Sequence, residues 1–269
     1  MKQYLLRHIF AFTAFLWVSS ALPAQDTELV MLEAGTFMMG SPASEVSRHG
    51  DEDLHQVMVG SFYVSRHEVT QREYEIATGR NPSKAMGASL PVENVSWFDA
   101  VLYCNARSVL EGFTPAYTVR DTEIIWDHTA NGFRLPTEAE WEYACRAGTS
   151  TPFSSGYNIR TDQANYDGNF PYNRNPKGTN AAAPVPVMSY PPNPWGIYDM
   201  HGNVSEWCWD QYRADNNARD LDGSLDSPGV IRGGSWYSEA GFLRSASRSS
   251  AAHNAGNGYT GFRVVRTAF

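Results

Sequence analysis

Between Tyr157 and Trp195 the chain is rich in Asn, Pro and Gly and shows no hydrophobic period. A folded body that carries so long an irregular stretch must satisfy its backbone N–H and C=O groups elsewhere, through metal ions or through aromatic packing. The composition supplies the second. Eight Trp, 14 Tyr and 22 Gly with only 19% charged residues describe a loop-rich globular chain rather than a disordered one. The length is that of one domain, and neither an internal repeat nor a second boundary is visible.

Regular elements surround this stretch. Leu29 to Gly40 and Val57 to Val64 alternate apolar and polar residues, as strands do. Thr70 with Glu73 forms a capping box that starts a helix running to about Thr78, where Gly79 ends it. Ser96 with Asp99 starts a second helix, whose Ala100, Val101, Cys104 and Val109 form one buried face before Gly112. Thr137 with Glu140 starts a third, through Trp141, Tyr143, Ala144 and Cys145 to Gly148. Short strands are expected at Val230 to Trp236 and at Gly261 to Arg266.

The first residues read as a cleaved export signal over 1–24: Lys2, Arg7 and His8, an apolar run from Ile9 to Val18, then small residues to Ala24. That run is too short to span a bilayer. The formal charge of −8, more negative still without Lys2 and Arg7, disfavours nucleic acid and anionic membranes as partners. Cys104, Cys145 and Cys208 contain no CxxC pair and permit at most one disulfide. The first two lie in helical apolar patterns and read as buried, inert thiols.

Six blocks occur in order: Phe37-Met38-Met39-Gly40; Pro91-Val92-Glu93-Asn94-Val95-Ser96-Trp97; Arg134-Leu135-Pro136-Thr137-Glu138-Ala139-Glu140-Trp141; Asp199-Met200-His201-Gly202-Asn203-Val204 with Glu206-Trp207; Arg232-Gly233-Gly234-Ser235; and Gly261-Phe262-Arg263. Together they resemble the formylglycine-generating enzyme (sulfatase-modifying factor) family over residues 25–269. The resemblance implies an α+β, C-type-lectin-like fold with much irregular structure. It also implies calcium, and oxidation of a client cysteine by two reactive cysteines just beyond the Arg-Gly-Gly-Ser block. At those two positions this chain has Ser238 and Leu243. A serine hydroxyl binds copper poorly and a leucine cannot coordinate at all, so no copper and no oxidation by this route are expected.

The resemblance implies a calcium site at Asp199, Gly202, Val204 and Glu206, two carboxylates with backbone carbonyls between them. The spacing alone describes a solvated turn equally well. A second calcium site would begin near Asn165 and Tyr166, but its loop lacks a matching Asp. Ser205 stands where the family commonly has a tryptophan beside the substrate groove.

Tyr237 to Thr260 is dominated by Ser, Ala, Gly, Asn, Tyr and His, a composition suited to adaptable binding loops. In layout the chain also resembles variable proteins of diversity-generating retroelements, whose C-terminal segment is rewritten at adenines of Asn codons. Apart from Glu239, the segment contains no Lys, Gln, Glu, Met or Trp, the residues such rewriting cannot reach. Candidate contacts are Tyr237, Ser238, Gly241, Phe242, Ser247, Ser249, His253, Asn254, Asn257 and Tyr259, and the expected partner is a protein or cell-surface ligand.

Other chemistry finds no support. In His67-Glu68-Val69-Thr70-Gln71 the second zinc ligand of a His-Glu-x-x-His helix is missing, so a strand-to-helix turn is expected. Gly233-Gly234-Ser235-Trp236 is not a nucleophile elbow. The leading expectation is an exported, catalytically inactive ligand-binding module. An exported oxidase or maturation enzyme using other residues, and a structural envelope component, are the alternatives.

Overall fold

The computed structural model describes residues 29–120, 123–215 and 227–269. The expected leader, 1–24, lies outside them. No helix among the described residues is long and apolar enough to cross a membrane.

Four strands come first: β1 (Leu29–Leu32), β2 (Gly35–Met39), β3 (His55–Val59) and β4 (Phe62–Ser65). The three expected helices follow as α1 (Gln71–Thr78), α2 (Trp97–Leu110) and, after β5 (Tyr117–Arg120), β6 (Glu123–Trp126) and β7 (Phe133–Arg134), α3 (Glu138–Arg146). Each begins in a complete capping box, in which the Thr or Ser side chain accepts from the N3 amide while the N3 carboxylate accepts from the cap amide. The chain then runs without a helix or strand to β8 (Ser205–Gln211), followed by β9 (Gly229–Arg232), β10 (Arg248–Ala251), β11 (Thr260–Gly261) and β12 (Val265–Thr267).

One sheet has the order β1-β4-β12-β7 and is antiparallel throughout; the other has the order β10-β9-β8-β11, with β11 parallel to β8. The expected strand at 230–236 stops at Arg232 because Gly233 and Gly234 turn the chain at φ 90° and 64°. The expected strand at 261–266 splits in two, since Arg263 leaves the ladder to reach Glu206. β8 had no alternation to reveal it, because its first five residues are all buried.

Two apolar cores flank the second sheet, one around Trp97, Tyr103, Trp207 and Phe262 and one around Phe62, Trp141, Cys208 and Val265. The irregular stretch makes a third, from Phe153, Ile159, Tyr166 and Tyr172 with Ala240 and Leu243 of the tail. Aromatic packing therefore anchors it as expected. Asparagine side chains complete the anchoring: Asn193 Nδ2 donates to the Ala144 carbonyl (2.7 Å), and Asn165 Nδ2 to that of Ala183 (2.9 Å).

Glu142 of α3 joins several of these parts. It accepts from the Gly40 amide (2.8 Å), pairs with Arg146, and pairs with Arg232, whose side chain is fully buried. Glu142→Ala leaves two buried guanidinium groups without that carboxylate and should cost about 3–5 kcal/mol, measured as a shift in the denaturant midpoint.

Candidate ligand-binding site

The tail from Arg232 to Arg263 is held by four buried arginines, each paired with a carboxylate from elsewhere in the fold. Arg232 pairs with Glu142 and donates to the carbonyls of Ser245 (2.8 Å), Ala246 (3.0 Å) and Ser247 (2.6 Å). Arg244 takes Glu52 with both Nη atoms (2.7 and 2.6 Å) and Glu45 at 2.7 Å. Arg248 takes Glu138 (2.6 and 2.9 Å), and Arg263 takes Glu206 (2.7 and 2.7 Å). Bidentate pairs of this kind fix direction as well as position.

Between these fixed points the side chains turn outward. Tyr237 is 68% exposed and stacks on Tyr259 at 5.6 Å between centroids and 18° between planes. Trp236 braces the pair, edge-on to Tyr237 and donating Nε1–H to the Gly258 carbonyl (3.0 Å). Phe242 lies on a short 3₁₀ turn, Ala240–Leu243, and is 39% exposed. Ser249 and Asn254 are also exposed, while Ser238, Gly241 and Asn257 are half-buried. Ser247 is buried in the turn that Arg232 clamps, yet it lines the small pocket that Ser238 shares. One expected contact is corrected. His253 is buried with its ring edge-on to Trp97 at 5.0 Å, and its carbonyl accepts from the Trp97 amide, so it belongs to the core beneath α2.

Ser238 lines a small pocket of about 50 Å³ with Ser205, Gly234, Phe242 and Ser249. Its Oγ accepts from the Ser235 amide (3.0 Å). Leu243 is fully buried in the third core. One of the two positions is thus a hydrogen-bonded hydroxyl and the other a packing side chain. Beyond Phe242 lies a larger groove of about 560 Å³, whose walls include Ser47, His49, Phe170 and Tyr172. These four lie far from the tail in sequence, and only the tertiary fold brings them to it.

All three cysteines are free and buried. Burial raises each thiol, that of Cys145 up to about 12, so none is poised as a thiolate. Cys145 Sγ faces Ser245 Oγ at 3.5 Å and the His201 ring at 3.8 Å. The Ser154 amide donates to His201 Nε2 (3.0 Å), which leaves Nδ1–H to donate to the Leu243 carbonyl (2.8 Å). This neutral tautomer ties the Asp199–Glu206 turn to the tail.

Of the four groups of the expected calcium site, Asp199, Gly202 and Val204 belong to one irregular turn and Glu206 to the start of β8, and the two carboxylates differ. Asp199 Oδ1 is buried with no hydrogen-bond partner, as suits a cation ligand, while Oδ2 accepts from the Met188 amide (2.7 Å). Burial pushes this carboxyl up to about 6. Glu206 instead has both oxygens taken, by Arg263 and by Trp141 Nε1 (2.7 Å). Asp199 fits a cation, and Glu206 acts first as the counter-ion of Arg263. Asn165, where the second calcium site would begin, donates to Asn203 as well as Ala183. The His67–Gln71 segment is the strand-to-helix turn expected, with Thr70 capping α1.

Fold and site together define an α+β scaffold that folds a pinned C-terminal tail over a shallow pocket beside an Asp-x-x-Gly turn. The chain belongs to the sulfatase-modifying-factor family: the model of the Sulfatase-modifying factor enzyme 1-like domain matches residues 18–268. It is 34% identical to the chaperone protein LppX of Paenibacillus barcinonensis, over 89% of each chain. It is 26% identical to the formylglycine-generating enzyme of Bos taurus, over 92% of this chain and 77% of that one. Among solved structures, Treponema denticola variable protein 1 superimposes with a TM-score of 0.77 at 27% identity, covering 89% of this chain and 95% of the other.

Burial depresses His201 to about 4, below the ordinary 6.5 of the unfolded chain. The folded state thus resists protonation, and the contribution of the neutral ring, complete above pH 6.5, falls away as pH drops towards 4. Between pH 7 and 4 the wild type should lose up to about 3 kcal/mol more stability than His201→Asn. Denaturant titrations of both proteins across that range measure the difference.

Proposed function

We propose that the protein is an exported, catalytically inactive ligand-binding member of this family, whose tail residues 237–260 form a binding surface of the kind retroelements diversify. The observation that carries this reading is the exposed Tyr237–Tyr259 stack, braced by Trp236 and next in sequence to Ser238, which lines the small pocket, while Leu243 is buried in the third core; these two stand where the family resemblance places two cysteines. Pre-ordered aromatic side chains lose little entropy on binding, which is what a recognition surface needs. The likeness to Treponema denticola variable protein 1 supports it, as does that to a relative named a chaperone protein.

Tyr237→Ser with Tyr259→Ser removes two exposed rings, so the melting temperature should stay nearly unchanged while capture of a protein or cell-surface ligand from the source organism is lost. A large fall in melting temperature would mean that these side chains are core, and oxygen consumption with bound copper in the purified wild type would point to the enzyme reading. Sequencing of the gene's 3′ end across many clones should show adenine-directed changes confined to codons 237 to 260.

A calcium ion on Asp199 and the turn carbonyls, those of Gly202 and Val204, is part of the same proposal. Calcium returned to chelator-treated protein should raise the wild-type melting temperature and leave that of Asp199→Asn unmoved; an unmoved wild type removes the ion from the proposal.

A further inference from the structure

The groove beyond Phe242 differs in chemistry from the tyrosine surface next to it. Its walls come from three separated segments: Ser47 and His49, Phe170 and Tyr172, and Glu239 and Phe242 of the tail. At about 560 Å³ it has room for a large side chain. Glu239 is its one acidic residue, and no lysine or arginine lines it. Two arginines adjoining its segments are already neutralised, since Arg48 pairs with Asp53, and Arg244 pairs with Glu45 and Glu52. Glu239 itself is exposed and forms no ion pair with the described residues.

Aromatic faces flank that carboxylate. Phe170 is 52% and Phe242 39% exposed. The His49 ring sits edge-on to Phe242 at 5.5 Å, and Tyr172 is held by its hydroxyl on the Val46 carbonyl (2.7 Å). An anion would meet Glu239 with no cation to receive it. A purely apolar group would strip water from the carboxylate without replacing it. A cation on an apolar stem meets both demands, with its charge on Glu239 and its face or stem against the two rings.

We infer that this groove is a subsite for an organic cation, the guanidinium or ammonium head of an arginine or lysine on the captured protein. The inference rests on the ligand-binding reading above and names the chemistry of one part of that ligand. Six of its nine lining residues lie outside the 237–260 tail, so it is a wall that changes in the tail would leave partly intact.

The test uses two capped tripeptides, Gly-Arg-Gly and its isosteric, uncharged citrulline counterpart, titrated into the ¹⁵N-labelled protein. The arginine peptide should shift amides at 47–49, 169–172 and 239–242 and bind about five-fold more tightly than the citrulline peptide, the range of one exposed ion pair with cation–π support. Glu239→Gln should erase that difference, and Phe242→Ala should weaken the arginine peptide about three-fold. Glu239→Arg should reverse the preference towards a Gly-Glu-Gly peptide. Equal binding of the two peptides, shifts confined to other surfaces, or no shifts at millimolar peptide would overturn the inference. If capture still depends on Tyr237 and Tyr259 in that case, only the cation subsite is lost.

Discussion

Buried guanidinium–carboxylate pairing is the interaction on which the C-terminal third of the molecule depends. Arg232, Arg244, Arg248 and Arg263 are spaced along the tail, and each is at most 6% exposed. Their partners come from α3, from the loop before β3 and from the start of β8. A buried charge without a partner is very costly, so each pair tolerates one arrangement of the two segments it joins. Replacing a pair by apolar residues could preserve stability, but it would give up that direction.

That arrangement explains how a tail with little regular structure can present ordered side chains. Between Arg232 and Arg244 the backbone turns through Gly233 and Gly234 at positive φ, and a side chain at Gly234 would collide with Leu243 and Phe242. The turn is closed by Ser235, Ser238 and the Arg244 contact to the Gly241 carbonyl (3.0 Å). Tyr237 and Phe242 thus leave a backbone that is already committed. The same holds at the far end, where Trp236 bonds to Gly258 and the Asn94 amide donates to the Asn257 carbonyl (2.7 Å), setting Tyr259 beside Tyr237. Side chains on this surface can change without disturbing what holds it.

Much of this was legible in the sequence, and what was not has physical reasons. The capping boxes at Thr70, Ser96 and Thr137 are local chemistry and located the starts of all three helices. The ordered blocks carried the fold class. β8 and β10 escaped because one is buried on both faces and the other is Arg-Ser-Ser-Ala, neither of which alternates. His253 and Ser247 read as surface residues from composition, yet tertiary packing buries them under α2 and under Arg232. The wall formed by His49 and Phe170 was invisible for another reason: its residues meet only when the irregular stretch folds back on the loop before β3.

Ser238 and Leu243 stand where the family resemblance places two cysteines, and their surroundings bear on thiol chemistry. A reactive thiolate needs exposure and nearby positive charge. Here the arginines that could supply charge are consumed by carboxylates, and Leu243 fills the third core against Phe153 and Tyr172. The side chain at the second position therefore contributes apolar burial to the irregular stretch, where a cysteine facing the pocket would not. A rigid base beneath the small pocket that Ser238 and Phe242 line suits recognition, because binding gains from pre-ordering.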